Sequence, residues 1–295
     1  MKIKRYFLLA LAMIMTCAFV GCLDEAKDKT TEDKNNGENV VATSVAVTQI
    51  LDKLGVKLKG VPTTAYKLPE STKDAVKIGN PMNPDLEIIK SLKPSVVVSV
   101  DTLGEDYKNI FKDNNIPSEF VTLTSLDGLK NSITKLSDIF SKKTEGENLL
   151  KDLENKEKET KKLGNGKSKK QVMIVFSVPG SMMVASQKSY VGDLVKIAGG
   201  ENVVKEEKLP FYTYNNEEIT KLKPDIVLVM THGKPEEAKD SAKEKFKNDP
   251  TWKNIKAIKE EKVTYLDSEY FGMSANLNVM EALNTLGKIL YGDKK

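Results

Sequence analysis

Two stretches of the chain repeat one pattern of hydrophobic and polar positions. The segment from Leu86 to Val98 recurs as the segment from Asn216 to Leu228. In each copy, apolar residues at helical spacing are followed by Lys-Pro and then by a β-branched run. This pattern predicts a helix that ends before the proline and a buried strand that follows it. Two such units in one chain predict two similar α/β lobes.

The remaining patterns extend each copy into a lobe. The first lobe is expected at residues 40–140, and the second at residues 167–295. The first lobe should contain a strand at Val40–Thr43, a helix through Ile50 and Leu54 that Gly55 ends, and a helix at Leu129–Phe140. The second should contain a strand at Gln171–Val178, a helix that Ser189 caps and Gly199-Gly200 end, and a helix at Asn278–Tyr291.

A run of helix formers separates the two lobes. From Lys142 to Leu163 the apolar residues Leu149, Leu150 and Leu153 share one face, and charged residues fill the rest. We interpret the charge as a solvated face, and residues 141–166 as one bridging helix. The predicted fold class is therefore α/β, with two Rossmann-like lobes, one long bridging helix and a ligand cleft between the lobes.

The amino terminus has the pattern of an export signal. Three basic residues precede an apolar run from Tyr6 to Val20, which is shorter than the about 20 residues of a membrane span. Cys22 follows a small residue and precedes a polar stretch, as in the processing signal of bacterial lipoproteins. We expect residues 1–21 to be a lipoprotein signal peptide, Cys22 the lipid anchor and residues 22–39 a disordered tether. The alternative is a plain secretory signal in which Cys22 is incidental.

The composition of the chain adds little to this interpretation once residues 1–21 are set aside. Removal of residues 1–21 takes away three basic residues and no acidic ones, which lowers the formal net charge from +4 to +1. No basic cluster is interleaved with aromatic residues, so nucleic acid is not an expected partner. If Cys22 carries lipid, no disulfide can form and the core alone must stabilise the exported part.

The single histidine of the chain, His232, follows the predicted buried strand at Asp225–Met230. One imidazole cannot build a site that needs several histidines, such as a typical zinc site. It can serve as one axial ligand to a metal that already carries equatorial ligands, and haem iron is such a metal. The alternative for His232 is an ordinary surface loop residue.

Several segments of the chain resemble one family. The Leu-Lys-Pro repeat, the Ser189–Asn202 segment and the linking helix are similar to the helical-backbone class of ABC-importer substrate-binding proteins, which handle siderophores, cobalamin and haem. Within that class, the segments at Val61–Thr64, Gly79–Pro84 and Thr231–Glu237 most resemble the haem-binding lipoproteins of Gram-positive iron-regulated surface determinant systems.

The resemblance implies Met82 and His232 as the axial ligands of haem iron, one from each lobe. Thioether sulfur and imidazole nitrogen complete an octahedron and leave no position open for oxygen chemistry, which suits a carrier. Because Asn83 and Pro84 read as an N-cap and a first helical residue, Met82 is expected at a helix start. Met82 could instead pack on its own helix. Met183 is then the substitute ligand, with the phenols of Tyr212 and Tyr214 ranked below it.

A haem pocket also needs apolar walls and donors for the propionates. The loops at residues 61–64 and 178–181 can offer amides and hydroxyls, although ordinary turn chemistry explains them equally well. We expect apolar walls from Phe211 and Phe271. The residues assigned to the pocket or to the propionates are Val61, Thr63, Thr64, Ser181, Met183, Tyr212 and Met273.

The expected function is that of a haem-binding lipoprotein of an ABC importer, and the chain is not expected to be an enzyme. It would capture haem b, iron protoporphyrin IX, from cell-surface donor proteins and pass it to the permease. By resemblance, Glu87 and Glu217, which match in the repeat, would dock on the permease; helix-dipole preference is their alternative explanation. The protein would act as a monomer, anchored at the extracytoplasmic face of the cell membrane. The alternative is a siderophore or cobalamin carrier of the same class.

Overall fold

The structure is a computed structural model that describes residues 39–205 and 208–292. The signal peptide at residues 1–21, the lipid anchor at Cys22 and the tether before Asn39 lie outside the described residues. Within the described ranges, no helix combines the length and the apolar character needed to span a membrane.

The first sheet has five parallel strands in the order β3-β2-β1-β6-β7. A separate antiparallel hairpin, β4-β5, follows β3. The elements of this lobe are β1 (Val40–Ala42), α1 (Val45–Lys53), β2 (Leu58–Val61), β3 (Val76–Lys77), β4 (Gly79–Asn80), β5 (Asn83–Pro84), α2 (Leu86–Ser91), β6 (Val96–Val100), α3 (Gly104–Asp113), β7 (Ser118–Val121) and α4 (Leu126–Ile139).

A long helix, α5 (Lys143–Leu163), leads from the first sheet to the second. The second sheet has the order β11-β9-β8-β12-β13, with β10 also paired to β8. Here β10, β12 and β13 run parallel, while β9 and β11 add antiparallel pairs. Its elements are β8 (Gln171–Val178), β9 (Ser181–Ala185), α6 (Tyr190–Ile197), β10 (Glu201–Asn202), β11 (Phe211–Tyr212), α7 (Asn216–Lys221), β12 (Ile226–Thr231), α8 (Pro235–Asn248), α9 (Pro250–Lys253), α10 (Lys256–Lys259), β13 (Val263–Tyr265) and α11 (Val279–Tyr291).

Strand alternation distributes the core over both faces of each sheet. In the first sheet Val40 and Val98 pack in one cluster, while Val41 and Val97 pack in another on the opposite face. In the second sheet Ile174 and Phe176 belong to the first of these clusters, and their neighbours Met173 and Val175 to a third. Because one cluster contains residues of both sheets and Leu153 of α5, the two lobes share a continuous apolar core.

The helix–strand repeat is confirmed, since α2 precedes β6 in the first lobe and α7 precedes β12 in the second. The Ser189 hydroxyl accepts a hydrogen bond from the Gly192 amide and so caps α6, as predicted. Gly199 adopts a φ of 87°, which ends that helix in the left-handed region. The domain boundaries at residues 40–140, 141–166 and 167–295 stay a proposal.

The expected helix start beside Met82 is wrong. Asn83 and Pro84 lie in strand β5, and α2 begins at Leu86 with Asp85 as its N-cap. The Asp85 carboxylate accepts hydrogen bonds from the amides of Glu87 and Ile88, the second and third residues of α2, and so takes the capping role that was expected two residues earlier at Asn83. Met82 therefore lies at the turn of a β-hairpin rather than at a helix terminus.

Candidate functional site

His232 is the first residue after β12. Its amide donates to the Ser177 carbonyl over 3.1 Å, which continues the pairing of β12 with β8 and fixes the backbone of the loop. The side chain is half-buried, and this burial lowers the pKa of the imidazole. A lowered pKa keeps the ring neutral at neutral pH, and the neutral imidazole is the form that binds metal.

Apolar side chains lie beside the imidazole. The ring centre of Phe176 is 6.2 Å from that of His232, and the ring centre of Phe211 is 4.6 Å from that of Phe176. Met183 faces Phe176 across the β8-β9 pair. These three side chains form an apolar wall next to His232, which suits a large flat ligand with one polar coordination point.

Met82 lies on the hairpin of the first lobe, and 63% of its surface is exposed. Its amide donates to the Asn80 side-chain oxygen over 2.9 Å, and the Tyr107 hydroxyl donates to the Pro81 carbonyl over 3.2 Å. The structure thus holds the backbone of the turn while the thioether projects from the core. Such exposure does not fit the alternative in which Met82 packs on its own helix.

Both candidate ligands follow the carboxyl ends of parallel strands, Met82 after β3 and His232 after β12. Segments that follow the carboxyl ends of β7 and β13 also meet, because the Ala275 amide donates to the Leu123 carbonyl over 2.7 Å. The carboxyl edges of the two sheets therefore border the boundary between the lobes, where α/β proteins commonly bind ligands. That Met82 and His232 reach one iron atom stays a prediction.

The predicted propionate donors lie on loops at the same edges. Thr63 and Ser181 are exposed, while Thr64 is half-buried and its hydroxyl accepts a hydrogen bond from the Tyr66 amide. The Thr63 amide donates to the Gly79 carbonyl, so its hydroxyl is the group that this residue can offer. Met273 is 37% exposed, which is compatible with a wall of the cleft.

Two predicted pocket residues lie elsewhere. Val61 is fully buried, so it supports its loop from inside the core and offers no surface to a ligand. Tyr212 packs with Met182 and Tyr214 in the cluster on the face of the second sheet opposite Phe176. Its hydroxyl donates to that of Tyr214 over 2.9 Å. Strand alternation causes this placement, since Phe211 takes the His232 face and its neighbour must take the other.

A cavity of about 650 Å³ also lies on that opposite face. Its lining includes Met182, Tyr214, Ile219 and Trp252, which belong to the same cluster as Tyr212. Neither Met82 nor His232 contributes to it. The cavity shares Ser181 and Met183 with the predicted haem pocket but does not include the two candidate iron ligands.

Phe176 is a candidate site residue beside His232 that the sequence interpretation missed. It lies in the interior of a buried strand, where a phenylalanine reads as core. Only the register reveals its role, because β8 pairs Phe176 with Met230 on one side and with Met183 on the other. The sequence did contain a signal for this placement. The even-numbered positions of β8 and β12 share one face of the sheet, and continuing this series past the end of β12 leads to His232.

The two repeat glutamates occupy matching positions at the surface. Glu87 lies in the first turn of α2 and Glu217 in the first turn of α7. Their side chains are 85% and 79% exposed, and each contacts a lysine of its own helix, Lys90 over 3.2 Å and Lys221 over 2.7 Å. Each lobe thus presents one exposed carboxylate in a surface ion pair that contributes little to stability.

A family model described as a periplasmic binding protein matches residues 40–270. The chain belongs to the periplasmic binding protein family. This match covers both sheets and the helix between them, so the two-lobed fold with a ligand cleft is that of the family.

Curated and solved relatives are similar to this binding protein over most of its length. The high-affinity heme uptake system protein IsdE of Staphylococcus aureus (strain Newman) is 38% identical over 296 residues, which cover 100% of both chains. The crystal structure of S. aureus IsdE complexed with heme gives a TM-score of 0.82 at 39% identity and covers 86% of this chain and 98% of that one. An ABC transporter substrate-binding protein of Listeria monocytogenes EGD-e gives a TM-score of 0.81 at 40% identity, over 86% and 99% of the chains.

Proposed function

We propose that this binding protein captures haem between its two lobes and delivers it to the permease of an ABC importer for iron acquisition. One observation carries the proposal: the chain is 38% identical, over the whole of both sequences, to a protein named for high-affinity haem uptake. The structural similarity to that protein in complex with haem supports the same cargo. Because the family consists of binding proteins, we assign no catalytic step to the chain.

We assign the axial positions of the iron to Met82 and His232. The residues present fit this cargo, because the half-buried imidazole is held neutral and the thioether is exposed on a hydrogen-bonded turn. Neither donor must lose a proton from a thiol before it binds iron. With both axial positions taken by the protein, the iron would be held as cargo and closed to oxygen chemistry.

The surroundings of His232 suit the porphyrin. The rings of Phe176 and Phe211 and the side chain of Met183 offer an apolar surface against which a flat macrocycle can pack. The hydroxyls of Thr63, Thr64 and Ser181 are our candidates for the propionates. A haem without its propionates would therefore keep the apolar contacts and lose only the polar ones.

Transport requires a membrane location and a docking surface. We assign the lipid anchor to Cys22, the location to the extracytoplasmic face of the cell membrane, and the docking contacts to Glu87 and Glu217. The exposed carboxylates on the two lobes favour a permease surface with two basic patches, because opposite charges steer such encounters. Haem would arrive from cell-surface donor proteins, and the binding protein would act as a monomer.

A cargo competition tests the proposal. Purified protein would be titrated with haem, with cobalamin and with a ferric siderophore, and binding would be followed by the absorption of each ligand and by tryptophan fluorescence. We expect saturable one-to-one binding of haem and no displacement by the other two ligands. Tighter binding of cobalamin or of the siderophore than of haem would overturn the proposal.

A further inference from the structure

A carboxylate of the second lobe forms a hydrogen bond with the backbone of the first lobe. Asp193, in the first turn of α6, accepts a hydrogen bond from the Leu126 amide over 2.8 Å. Leu126 is the first residue of α4, which belongs to the first lobe. The amides of a first helical turn lack partners within their own helix, and the helix dipole favours an anion at that place. Asp193 thus provides a hydrogen-bond acceptor for the first amide of a helix in the opposite lobe.

The Leu126 amide needs this partner. Ser125 of the first lobe caps α4, but its hydroxyl accepts a hydrogen bond from the Gly128 amide. The cap therefore does not serve the Leu126 amide. Leu126 is 1% exposed, so little water can reach its backbone. An unpaired buried amide would destabilise the contact. The cross-lobe hydrogen bond is therefore part of the packing between the lobes and differs from a surface ion pair.

The sequence around Asp193 positions its carboxylate. Ser189 caps α6, and the fully buried Tyr190 places the first turn in the core shared by both lobes. Gly192 lies so close to the preceding loop that a Cβ would come within 2.1 Å of the Ser186 carbonyl oxygen. The Ser-Tyr-x-Gly-Asp motif thus sets the start of α6 against its own lobe and directs Asp193 outward from it. None of these residues belongs to the haem site proposed above.

Charged groups from three helices surround the contact. Lys130 of α4 pairs with Glu157 of α5, which also pairs with Lys161, and Lys196 and Asp127 lie near Asp193. Burial raises the pKa of the Asp193 carboxyl, and the hydrogen bond from the Leu126 amide opposes that rise. The first lobe, the bridging helix and the second lobe are therefore joined at one place by hydrogen bonds and ion pairs.

We infer that Asp193 is a positioning residue that fixes the relative placement of the two lobes and thereby of the two axial ligands. The inference rests on the proposed function, because only a ligand bound from both lobes demands this placement. Iron bonds tolerate little change in length, so a shift of one lobe must weaken one of the two bonds. The thioether of Met82 is the weaker donor, and its bond would be lost first while the imidazole stays bound.

The first measurement needs no haem. The full chain with Cys17→Ser and Cys22→Ser has no other cysteine, so spin labels can be attached at Lys112→Cys in the first lobe and at Lys247→Cys in the second. Asp193→Ala should broaden the distance distribution between the labels, and Asp193→Asn, which keeps an oxygen acceptor, should restore most of it. Asp127→Ala is the matched control, because Asp127 is an exposed carboxylate in the same turn of α4 that pairs with Lys130 of its own helix. A distribution unchanged by Asp193→Ala would overturn the inference.

The second measurement follows the haem spectrum. The Asp193→Ala protein should lose the bands of the thioether-bound, low-spin iron and release haem on the order of tenfold faster, as expected for the loss of a hydrogen bond to a charged group. Asp193→Asn should recover the spectrum in part. Broadened distances with an unchanged spectrum would refute the positioning role. If the parent protein shows no thioether ligation at all, the proposed ligand pair fails, while the distances still decide whether Asp193 joins the lobes.

Discussion

The imidazole of His232 and the phenyl ring of Phe176 lie 6.2 Å apart, centre to centre, with their planes inclined by 32°. The histidine thus has an aromatic neighbour beside its ring. Phe176 is 3% exposed, so its ring is held in the core next to the imidazole and limits the access of water to it. The same burial lowers the pKa of His232 and keeps its nitrogen available to a metal.

Replacement of this histidine should remove haem without unfolding the protein. His232→Ala deletes the single imidazole of the chain, and we expect affinity for haem to fall by at least about a hundredfold, the upper range for losses around a metal ligand. Haem titrations followed in the Soret band measure the effect. Lys234→Ala is the control, because Lys234 lies two residues away, exposed, in an ion pair with Glu237. Equal affinity of His232→Ala and the parent protein would remove His232 from the site.

Acid should release haem only below the ordinary range of histidine. A group with a lowered pKa stays neutral down to a lower pH, so protonation of His232 should begin below its usual value of about 6.5. Bound iron competes with the proton and moves the release further in the same direction. We therefore expect constant haem retention from neutral pH to about 6.5 and a decline below it, measured by the Soret band.

The control for this titration is the His232→Ala protein, loaded at a haem concentration that saturates its weakened site, which should lack the transition. Haem loss from the parent protein that starts above about pH 6.5 would mean that another group governs retention. Loss that coincides with global unfolding, followed by far-UV circular dichroism, would also contradict the prediction.

Met82 and Met183 offer a matched pair of thioethers. Met82→Ala should leave stability within about 0.5 kcal/mol, because the side chain is 63% exposed, yet it should abolish thioether ligation. Met183→Ala removes a side chain packed against the core opposite Phe176, so it should cost about 2 kcal/mol of stability and keep the ligand bands. Chemical denaturation and haem spectra measure the two effects. A spectral change in Met183→Ala and none in Met82→Ala would reverse the assignment.

Most of the local structure of this protein can be predicted from its sequence. The repeat predicted α2 with β6 and α7 with β12, and the cap at Ser189 lies where the motif places it. These features depend on helical spacing, on proline and on side-chain capping, all of which act within a few residues. A single sequence displays such signals directly.

Features that depend on long-range pairing were not predictable. Asn83-Pro84 has the pattern of a helix start, but the structure places both residues in a hairpin, which the Thr63 amide joins through the Gly79 carbonyl, and the helix begins after Asp85. Tyr212 shares its two-residue strand with another aromatic residue, Phe211, and only its pairing with Val184 assigns its face. The contact of Asp193 with Leu126 spans 67 residues and joins two lobes. No local pattern encodes such a contact.

The two repeat glutamates should affect delivery and leave capture unchanged. Glu87 and Glu217 are exposed and pair with lysines of their own helices, so the double variant Glu87→Ala, Glu217→Ala should keep the haem affinity and the stability of the parent protein. If these carboxylates meet basic residues of the permease, the double variant should transfer haem to permease-containing vesicles more slowly, and the rate should lose its sensitivity to salt. Stopped-flow transfer at several salt concentrations measures both effects.

The matched control is the double variant Glu105→Ala, Glu281→Ala, which removes one exposed first-turn glutamate from each lobe at positions outside the repeat. It has the same change in net charge, so a general electrostatic effect would slow transfer equally in both double variants. A slower, salt-insensitive transfer in the Glu87, Glu217 protein alone would locate the docking surface at the starts of α2 and α7. Equal rates in the parent and both variants would exclude these carboxylates from docking, and the helix dipole would then be the remaining reason for a glutamate at each helix start.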